Sequence, residues 1–202
     1  MKPLSFLIIT YNRPADMLEL LQNISGLDQA EKLLEEIIVV NNCSTESYKE
    51  VEAFIDRSTL PFQYFIAPAN LGVAKGRNFA LNLGTAPLII MLDDDAVLQN
   101  KDCLVRLEAR FSREDMLRPT AIVSFRVLYY ETLEMQQNAL PHKRYLRYRD
   151  RSFFETYYYA GGAHAVRRNI IEELGAYPEN FFYGMEEYDL SFRILDAGYS
   201  IV

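Results

Sequence analysis

Four short apolar runs rich in β-branched residues, Leu4–Thr10, Glu36–Val40, Phe62–Ala67 and Leu88–Leu92, are separated by stretches with a helical period. In the first gap, Ala15–Ile24 sets Leu18, Leu21 and Ile24 on one face. In the second, Glu46–Asp56 does the same with Val51, Phe54 and Ile55, and Ser44 or Thr45 is placed to cap its start. In the third, Val73–Leu83 follows Gly72 and aligns Ala74, Phe79, Ala80 and Leu83. Strand–helix alternation at this spacing needs right-handed crossovers, so the first half predicts a Rossmann-like α/β fold with a mostly parallel, doubly wound central sheet.

After Asp95 the rhythm breaks. A helix is expected over Asp102–Arg113 and a strand over Ala121–Tyr130, then an irregular stretch, 131–155, dense in Arg and Tyr, which reads as a long functional loop or lid. A strand over Tyr157–Val166, a helix over Asn169–Leu174 ending at Gly175, and a helix over Tyr188–Ala197 stopped by Gly198 complete the pattern. Ser200-Ile201-Val202 reads as the opening of a further strand, so the sequence is expected to be truncated at its C-terminus. The whole is read as one catalytic domain, with 1–98 as the half that binds a nucleotide and 99–202 as the half that meets its second substrate.

With 202 residues and 50% hydrophobic content, the chain can bury one sizeable core. Its net charge of -7 argues against binding nucleic acid, and an acidic protein that handles anionic nucleotides is expected to do so through a metal ion or local donors. Two cysteines, Cys43 and Cys103, give neither a disulfide framework nor a zinc spacing. With no signal peptide or transmembrane run in sight, the expected location is cytoplasmic, with room for peripheral attachment at the inner face of the membrane.

In open α/β sheets, ligands bind beyond the carboxyl ends of the strands. There the sequence turns polar: Thr10-Tyr11-Asn12-Arg13, then Asn41-Asn42-Cys43-Ser44, Asn70-Leu71-Gly72, and Asp93-Asp94-Asp95. The Asn pairs alone also fit ordinary turns; their convergence on one sheet edge points to a donor-binding pocket. Three adjacent carboxylates repel one another unless solvated or neutralised, and a divalent cation resolves the conflict. Alternation along the strand sends Asp93 and Asp95 to one side and Asp94 to the other, an oxygen pair suited to Mg²⁺ or Mn²⁺ with phosphates completing the shell. A solvated acidic turn is the competing reading. Arg77, on the opening turns of the third helix, can bond phosphate oxygens. A last acidic cluster, Glu186-Glu187-Tyr188-Asp189, follows the aromatic turn Phe181-Phe182-Tyr183-Gly184. Aromatic neighbours desolvate a carboxylate as a general base requires, and Glu186 or Glu187 fits; acids that merely complement a helix dipole are the alternative.

Taken in order, these segments resemble the family 2 glycosyltransferases, inverting enzymes of the GT-A fold: Ile9–Arg13, Val39–Thr45, Asn70–Asn78, Leu92–Asp95, Gly161-Gly162, and Glu186–Arg193 ending in Ala197-Gly198-Tyr199. The resemblance implies that Thr10 and Tyr11 line the nucleotide pocket, Asn41 contacts the base, and Arg77 lies near the ribose and diphosphate. It implies that Asp93 and Asp95 form the Asp-x-Asp metal motif, Asp95 foremost, that Gly161-Gly162 approaches acceptor and donor sugar, and that Glu187 is the base. Asn41 and Glu187 each stand where many relatives carry Asp. His164, in a strand pattern, reads as a structural histidine.

The expected reaction is transfer of a sugar, with inversion, from a UDP-, dTDP- or GDP-linked donor to a hydroxyl of a saccharide or lipid-linked acceptor, in the making of a bacterial polysaccharide or glycoconjugate. Asp189 is expected to orient the helix start or an acceptor hydroxyl, and the Arg/Tyr stretch to close over the diphosphate or receive an anionic acceptor. Two rivals stand beside it. Asp93–Val97 also fits the Asp-x-Asp-x-Val pattern of haloacid-dehalogenase-type phosphatases, although that chemistry uses the first strand of its core. A nucleotide-sugar-binding module without turnover is the other.

Overall fold

A computed structural model describes residues 1–113 and 117–202. Its elements run β1 (Leu4–Thr10), α1 (Pro14–Ser25), α2 (Ala30–Leu33), β2 (Leu34–Asn41), α3 (Lys49–Arg57), β3 (Phe62–Ile66), α4 (Gly72–Leu83) and β4 (Leu88–Asp93). The second half adds α5 (Cys103–Phe111), β5 (Thr120–Ser124), α6 (Tyr145–Tyr148), β6 (Ala163–Arg167), α7 (Arg168–Leu174), α8 (Glu186–Asp196) and β7 (Ser200–Ile201).

The seven strands form one sheet in the order β3-β2-β1-β4-β6-β5-β7, parallel throughout except for β6, which runs antiparallel to both its neighbours. Alternate side chains of the central strands feed two cores. Leu4, Phe6 and Ile8 of β1 meet Leu20 and Leu21 of α1 on one face, while Leu7 meets Ala80 and Leu81 of α4 on the other. Each such side chain contributes about 1.5–3 kcal/mol on burial, so helices on both faces are required by the sequence of the strands themselves.

The expected doubly wound, mostly parallel sheet is present, and Ser200–Ile201 does pair as a strand, with β5. Five expectations need correction. The strand expected over Ala121–Tyr130 stops at Ser124; further along, Leu128 bridges Met135 across a turn. The strand expected from Tyr157 begins only at Ala163. α3 begins after Tyr48, not at Glu46, because Ser44 and Thr45 bond the first loop instead: the Asn12 N–H donates to Ser44 Oγ at 2.9 Å, and the Thr45 N–H donates to Asn12 Oδ1 at 2.8 Å. α8 begins at Glu186, two residues earlier than its apolar period indicates. The helix expected as far as Arg113 ends at Phe111.

The antiparallel β6 decides what shares an edge. Ala163 lies opposite Leu92 and His164 opposite Ser124, so the whole connection 125–162 leaves and returns at the rim where β4 delivers Asp93. The opposite rim holds a different device. There Glu36 is buried, accepting hydrogen bonds from Ser5 Oγ at 2.7 Å, the Ala86 N–H at 3.2 Å, and the N–H and hydroxyl of Thr85. Desolvation pushes its pKa up, but these donors outweigh it and hold the carboxyl below the usual range.

Candidate active site

A cleft of about 410 Å³ opens beyond the carboxyl ends of β1, β2 and β4, walled by Tyr11, Arg13, Asn42, Asn70, Gly72 and Arg77, floored by Asp93, Asp94 and Asp95, and flanked by Phe182 and Tyr183. Its location follows the strand-end rule. Arg77 is its centre: only 7% exposed, it donates from Nη1 to Glu186 Oε1 at 2.8 Å and from Nη2 to the Gly161 carbonyl at 2.9 Å, and it lies 3.5 Å from Asp93 Oδ1. Burial works against its charge, but Tyr177, Asp93 and Glu186 around it keep the guanidinium protonated.

The triplet differs in exposure in the expected sense. Asp93 and Asp95 face solvent in the cleft, whereas Asp94 is buried. Desolvation raises the Asp94 pKa to about 6 despite the Thr10 hydroxyl and Arg13, and the crowded cleft wall raises that of Asp93 against the pull of Arg77. Arg13 Nη1 pairs with Asp95 Oδ2 and lies 3.7 Å from Asp94. Among the described residues, no three His, Cys, Asp or Glu side chains are grouped to enclose a metal. Two hard-oxygen carboxylates at a cleft mouth suit Mg²⁺ or Mn²⁺, which retain waters and take phosphate oxygens where an all-protein cage is lacking.

The glycine pair explains itself geometrically. A Cβ on Gly162 would lie 2.1 Å from Asp93 Oδ2, and one on Gly161 would lie 3.6 Å from Glu187 Cδ. Gly162 therefore has room for backbone only beside Asp93, while a Cβ on Gly161 would meet Arg77 Nη1 at 3.3 Å and Glu187 at ordinary contact distance. The Gly161 carbonyl also receives Nδ1 of His164 at 3.0 Å, and Nε2 of His164 takes the Tyr177 hydroxyl at 3.0 Å. Burial and Arg77 push the His164 pKa down to about 3, so the ring is neutral, with Nδ1–H donating and Nε2 accepting. The structural reading of His164 fits this geometry.

Glu186 and Glu187 differ. Glu186 is 3% exposed and committed to Arg77, whereas Glu187 is half-buried and its buried Oε2 has no partner among the described residues. Desolvation, reinforced by Glu186 and Asp93, raises the Glu187 pKa. Met185, in the left-handed region at φ 74°, turns the chain so that both carboxylates enter the first turn of α8.

Several expected site residues hold loops instead of lining the cleft. Thr10 Oγ1 and Tyr48 Oη are hydrogen-bonded at 2.6 Å. Asn12 ties the first loop to Thr45 and Glu46. Asn41 donates to Tyr64 Oη at 2.7 Å and accepts from the Ser44 N–H at 2.8 Å, and its neighbour Asn42 reaches the cleft while clamping Asn70 and Leu71. Asp189 bonds Arg193 Nε at 2.8 Å, and that guanidinium caps the carbonyls of Leu174, Gly175 and Ala176. Arg144, Arg147, Arg149 and Arg151 do not line the cleft. Gly72 does, at φ +72°, where a Cβ would strike the Phe182 carbonyl at 2.5 Å; the Val73 N–H donates to that same oxygen at 2.8 Å.

Sequence reasoning treated Phe182 and Tyr183 only as neighbours of the acidic cluster; both wall the cleft. It missed the support from Tyr177, which Asn78 grips by Nδ2 to the carbonyl at 2.8 Å and by Oδ1 from the N–H at 3.0 Å. Their signal was the exposed aromatic run before a helix start. The phosphatase pattern is a coincidence of spacing, since Asp93 ends the fourth strand in chain order.

The fold matches that of a mannosyltransferase, PcManGT, from Pyrobaculum calidifontis, solved with GDP-Man and Mn²⁺, at a TM-score of 0.79 and 23% identity, covering 100% of this chain and 55% of that one. It also matches S. aureus TarS 1–349, at a TM-score of 0.74 and 18% identity, covering 100% and 58%. The chain thus spans a little over half the length of these solved structures. An uncharacterized protein of Haemophilus influenzae is 25% identical over 177 residues, 87% of this chain and 92% of its own length. Among the described residues, no helix is long and apolar enough to cross a membrane. The model of the glycosyl transferase family 2 matches residues 5–175, and with its GT-A fold and strand-end cleft the chain belongs to that family.

Proposed function

We propose that the chain transfers a sugar from a nucleoside-diphosphate sugar to an acceptor hydroxyl with inversion, using Asp93 and Asp95 to hold a divalent cation and Glu187 as general base. One observation carries the reading: the Gly161-Gly162 backbone alone separates Asp93 from Glu187. Two raised-pKa carboxylates thus flank a glycine strip that has no room for a side chain at Gly162. The division of the chain at about residue 98 follows from the same strip, because Asp93 closes the first half and Glu187 belongs to the second.

When bound at Asp93 and Asp95, Mg²⁺ or Mn²⁺ supplies Lewis-acid stabilisation of the departing diphosphate. Tyr11, Arg13, Asn70 and Gly72 form the wall against which the nucleoside lies, and Thr10, Asn12 and Asn41 keep that wall in place. Arg77, fixed by Glu186 and Gly161, sets the glycine strip and presents positive charge to the diphosphate side of the cleft. Asp94, buried in the cleft floor, and Asp95 hold Arg13 near the cleft mouth. Glu187 accepts the proton of the acceptor hydroxyl; the acceptor oxygen bonds the anomeric carbon as the bond from that carbon to the diphosphate oxygen breaks, and the nucleoside diphosphate leaves. Oε2 is buried without a partner in both glutamates among the described residues; what supports this assignment over Glu186 is that Glu186 is the more buried and is tied through Oε1 to Arg77. Asp189 orients the start of α8 through Arg193, and Gly161-Gly162 is the surface that donor sugar and acceptor share.

PcManGT was solved with GDP-Man and Mn²⁺, and TarS with UDP-GlcNAc, which supports a nucleotide-sugar donor and leaves its base to be measured. We place the enzyme in the cytoplasm, in polysaccharide or glycoconjugate synthesis. The test is a panel of UDP-, GDP- and dTDP-sugars assayed for donor turnover with and without Mn²⁺. One donor should be turned over in a metal-dependent way and yield a product of inverted anomeric configuration; retention, or release of phosphate from monoesters instead, refutes the reading.

A further inference from the structure

We propose that the basic, aromatic segment 142–153 docks the chain onto an anionic lipid surface. Of the 21 Lys and Arg and 28 Asp and Glu in the chain, five and one fall in these twelve residues: Lys143, Arg144, Arg147, Arg149 and Arg151 against Asp150. All five cations are exposed, and among the described residues only Arg149 has a carboxylate in salt-bridge range, Asp150 at 3.2 Å. The remaining surface is strongly acidic and repels an anionic surface, so this is the face that can approach one.

The cations are held on a small aromatic core of the segment's own. The His142 ring lies 4.0 Å from that of Tyr148 and 5.3 Å from that of Tyr157, centroid to centroid. The Lys143 N–H donates to Tyr157 Oη at 3.0 Å, and the Tyr158 hydroxyl donates to the Leu140 carbonyl at 3.0 Å. Arg147 and Arg151 both lie over Tyr148, at 5.6 and 5.5 Å, and Arg149 lies over Tyr145 at 5.8 Å. Among these cations Leu146 is 82% exposed, whereas Phe153 beyond them carries the Arg110 guanidinium over its ring at 4.6 Å. A soluble polyanion offers Leu146 nothing to enter. A lipid surface offers both halves of the contact, headgroups for the cations and an acyl boundary for Leu146.

The segment lies along the β7 edge of the sheet: Thr156, just beyond it, bridges Ile201, and Phe153 carries Arg110, which reaches Thr120 at the start of β5. It belongs to connection 125–162, which starts and ends at the rim carrying Asp93, and Tyr158 stacks on Tyr188, next to Glu187, with ring centroids 5.2 Å apart. The docking does not rest on the transfer reading above.

The test is flotation of the whole chain with vesicles of phosphatidylcholine alone and of phosphatidylcholine mixed with phosphatidylglycerol, with Mn²⁺-dependent nucleoside-diphosphate binding measured on the same samples. Wild type should float only with the anionic vesicles and be released by salt. The triple variant Arg147→Gln, Arg149→Gln, Arg151→Gln should partition roughly a hundredfold more weakly, about fivefold per charge removed. Leu146→Ser should weaken partitioning with the salt slope unchanged, and nucleotide binding should be intact in both. Failure of wild type to float while it binds nucleotide overturns the docking, as does a Leu146→Ser variant that floats like wild type while single-stranded RNA displaces both. Flotation without nucleotide binding in a folded sample leaves the docking standing and counts against the donor site instead.

Discussion

At one rim of the sheet, Glu36 is buried among Ser5, Thr85 and Ala86, and its carboxyl is held below the usual range. At the other rim, exposed Asp93, buried Asp94 and half-buried Glu187 all have raised pKa values, and Glu187 Oε2 has no partner among the described residues. Both rims belong to the same parallel sheet and carry acids near the ends of its strands. What separates them is the supply of donors. Glu36 meets enough N–H and O–H groups to offset its desolvation, whereas at Asp93, Asp94 and Glu187 desolvation outweighs the donors and cations nearby, as suits groups that bind a cation or take up a proton.

Substitution at each rim should therefore act on a different quantity. The largest effect is expected from Glu187→Gln, which should lower turnover by about a hundred- to ten-thousand-fold, the span of general-base catalysis, with the thermal midpoint unchanged. A loss of stability in place of turnover would move Glu187 into the same class as Glu36. Next, Glu36→Ala should cost about 2–4 kcal/mol and lower the midpoint by roughly 5–15 °C, because it strands buried donors. Since the Glu36 pKa is lowered in the fold, its contribution is present above the unfolded value near 4 and is lost as pH falls through the still lower folded value. Thermal melts across that range would record it.

Asp94 carries the opposite sign. Its pKa is raised to about 6, so the fold disfavours its charge, and its contribution declines as pH climbs from about 4 to about 6. Asp94→Asn should raise stability at neutral pH by about 1–3 kcal/mol and flatten that part of the profile, measured by denaturant unfolding at several pH values. The smallest effect should come from Arg13→Gln. The Arg13–Asp95 pair is exposed, and such pairs are worth about 0.2–1 kcal/mol, so freeing Asp95 should tighten Mn²⁺ binding no more than about fivefold by calorimetry.

Much of this contrast was legible from the sequence because β1, β2 and β4 are covered on both faces and so read as unbroken apolar runs that end abruptly in polar residues. The triplet differs in exposure in the expected sense, with Asp94 buried, although β4 ends at Asp93 and all three residues line the cleft. The direction of β6 was not legible. Ala163–Arg167 is short and half polar, and nothing local says that it returns against β4, although that return is what sets Gly162 on Asp93. The roles of Asn12 and Asn41 were hidden for a related reason, since each amide is engaged by another segment: Thr45 and Glu46 for one, Tyr64 for the other. Choosing between Glu186 and Glu187 needed a partner 109 positions away, Arg77. Glu36 went unread as a clamp because its donors Thr85 and Ala86 lie just ahead of β4, a segment that gives no local sign of contact.

The central claim is that the cleft at the carboxyl ends of the strands is a nucleotide site completed by a divalent cation. Its most direct test is calorimetric titration of UDP and of GDP into the folded chain with and without Mn²⁺, repeated for Asp93→Asn and Asp95→Asn. Binding of one nucleotide that needs Mn²⁺ and is lost in both variants is the predicted result; binding that is indifferent to Mn²⁺ and to both substitutions, or no binding in a protein shown to be folded, would contradict it.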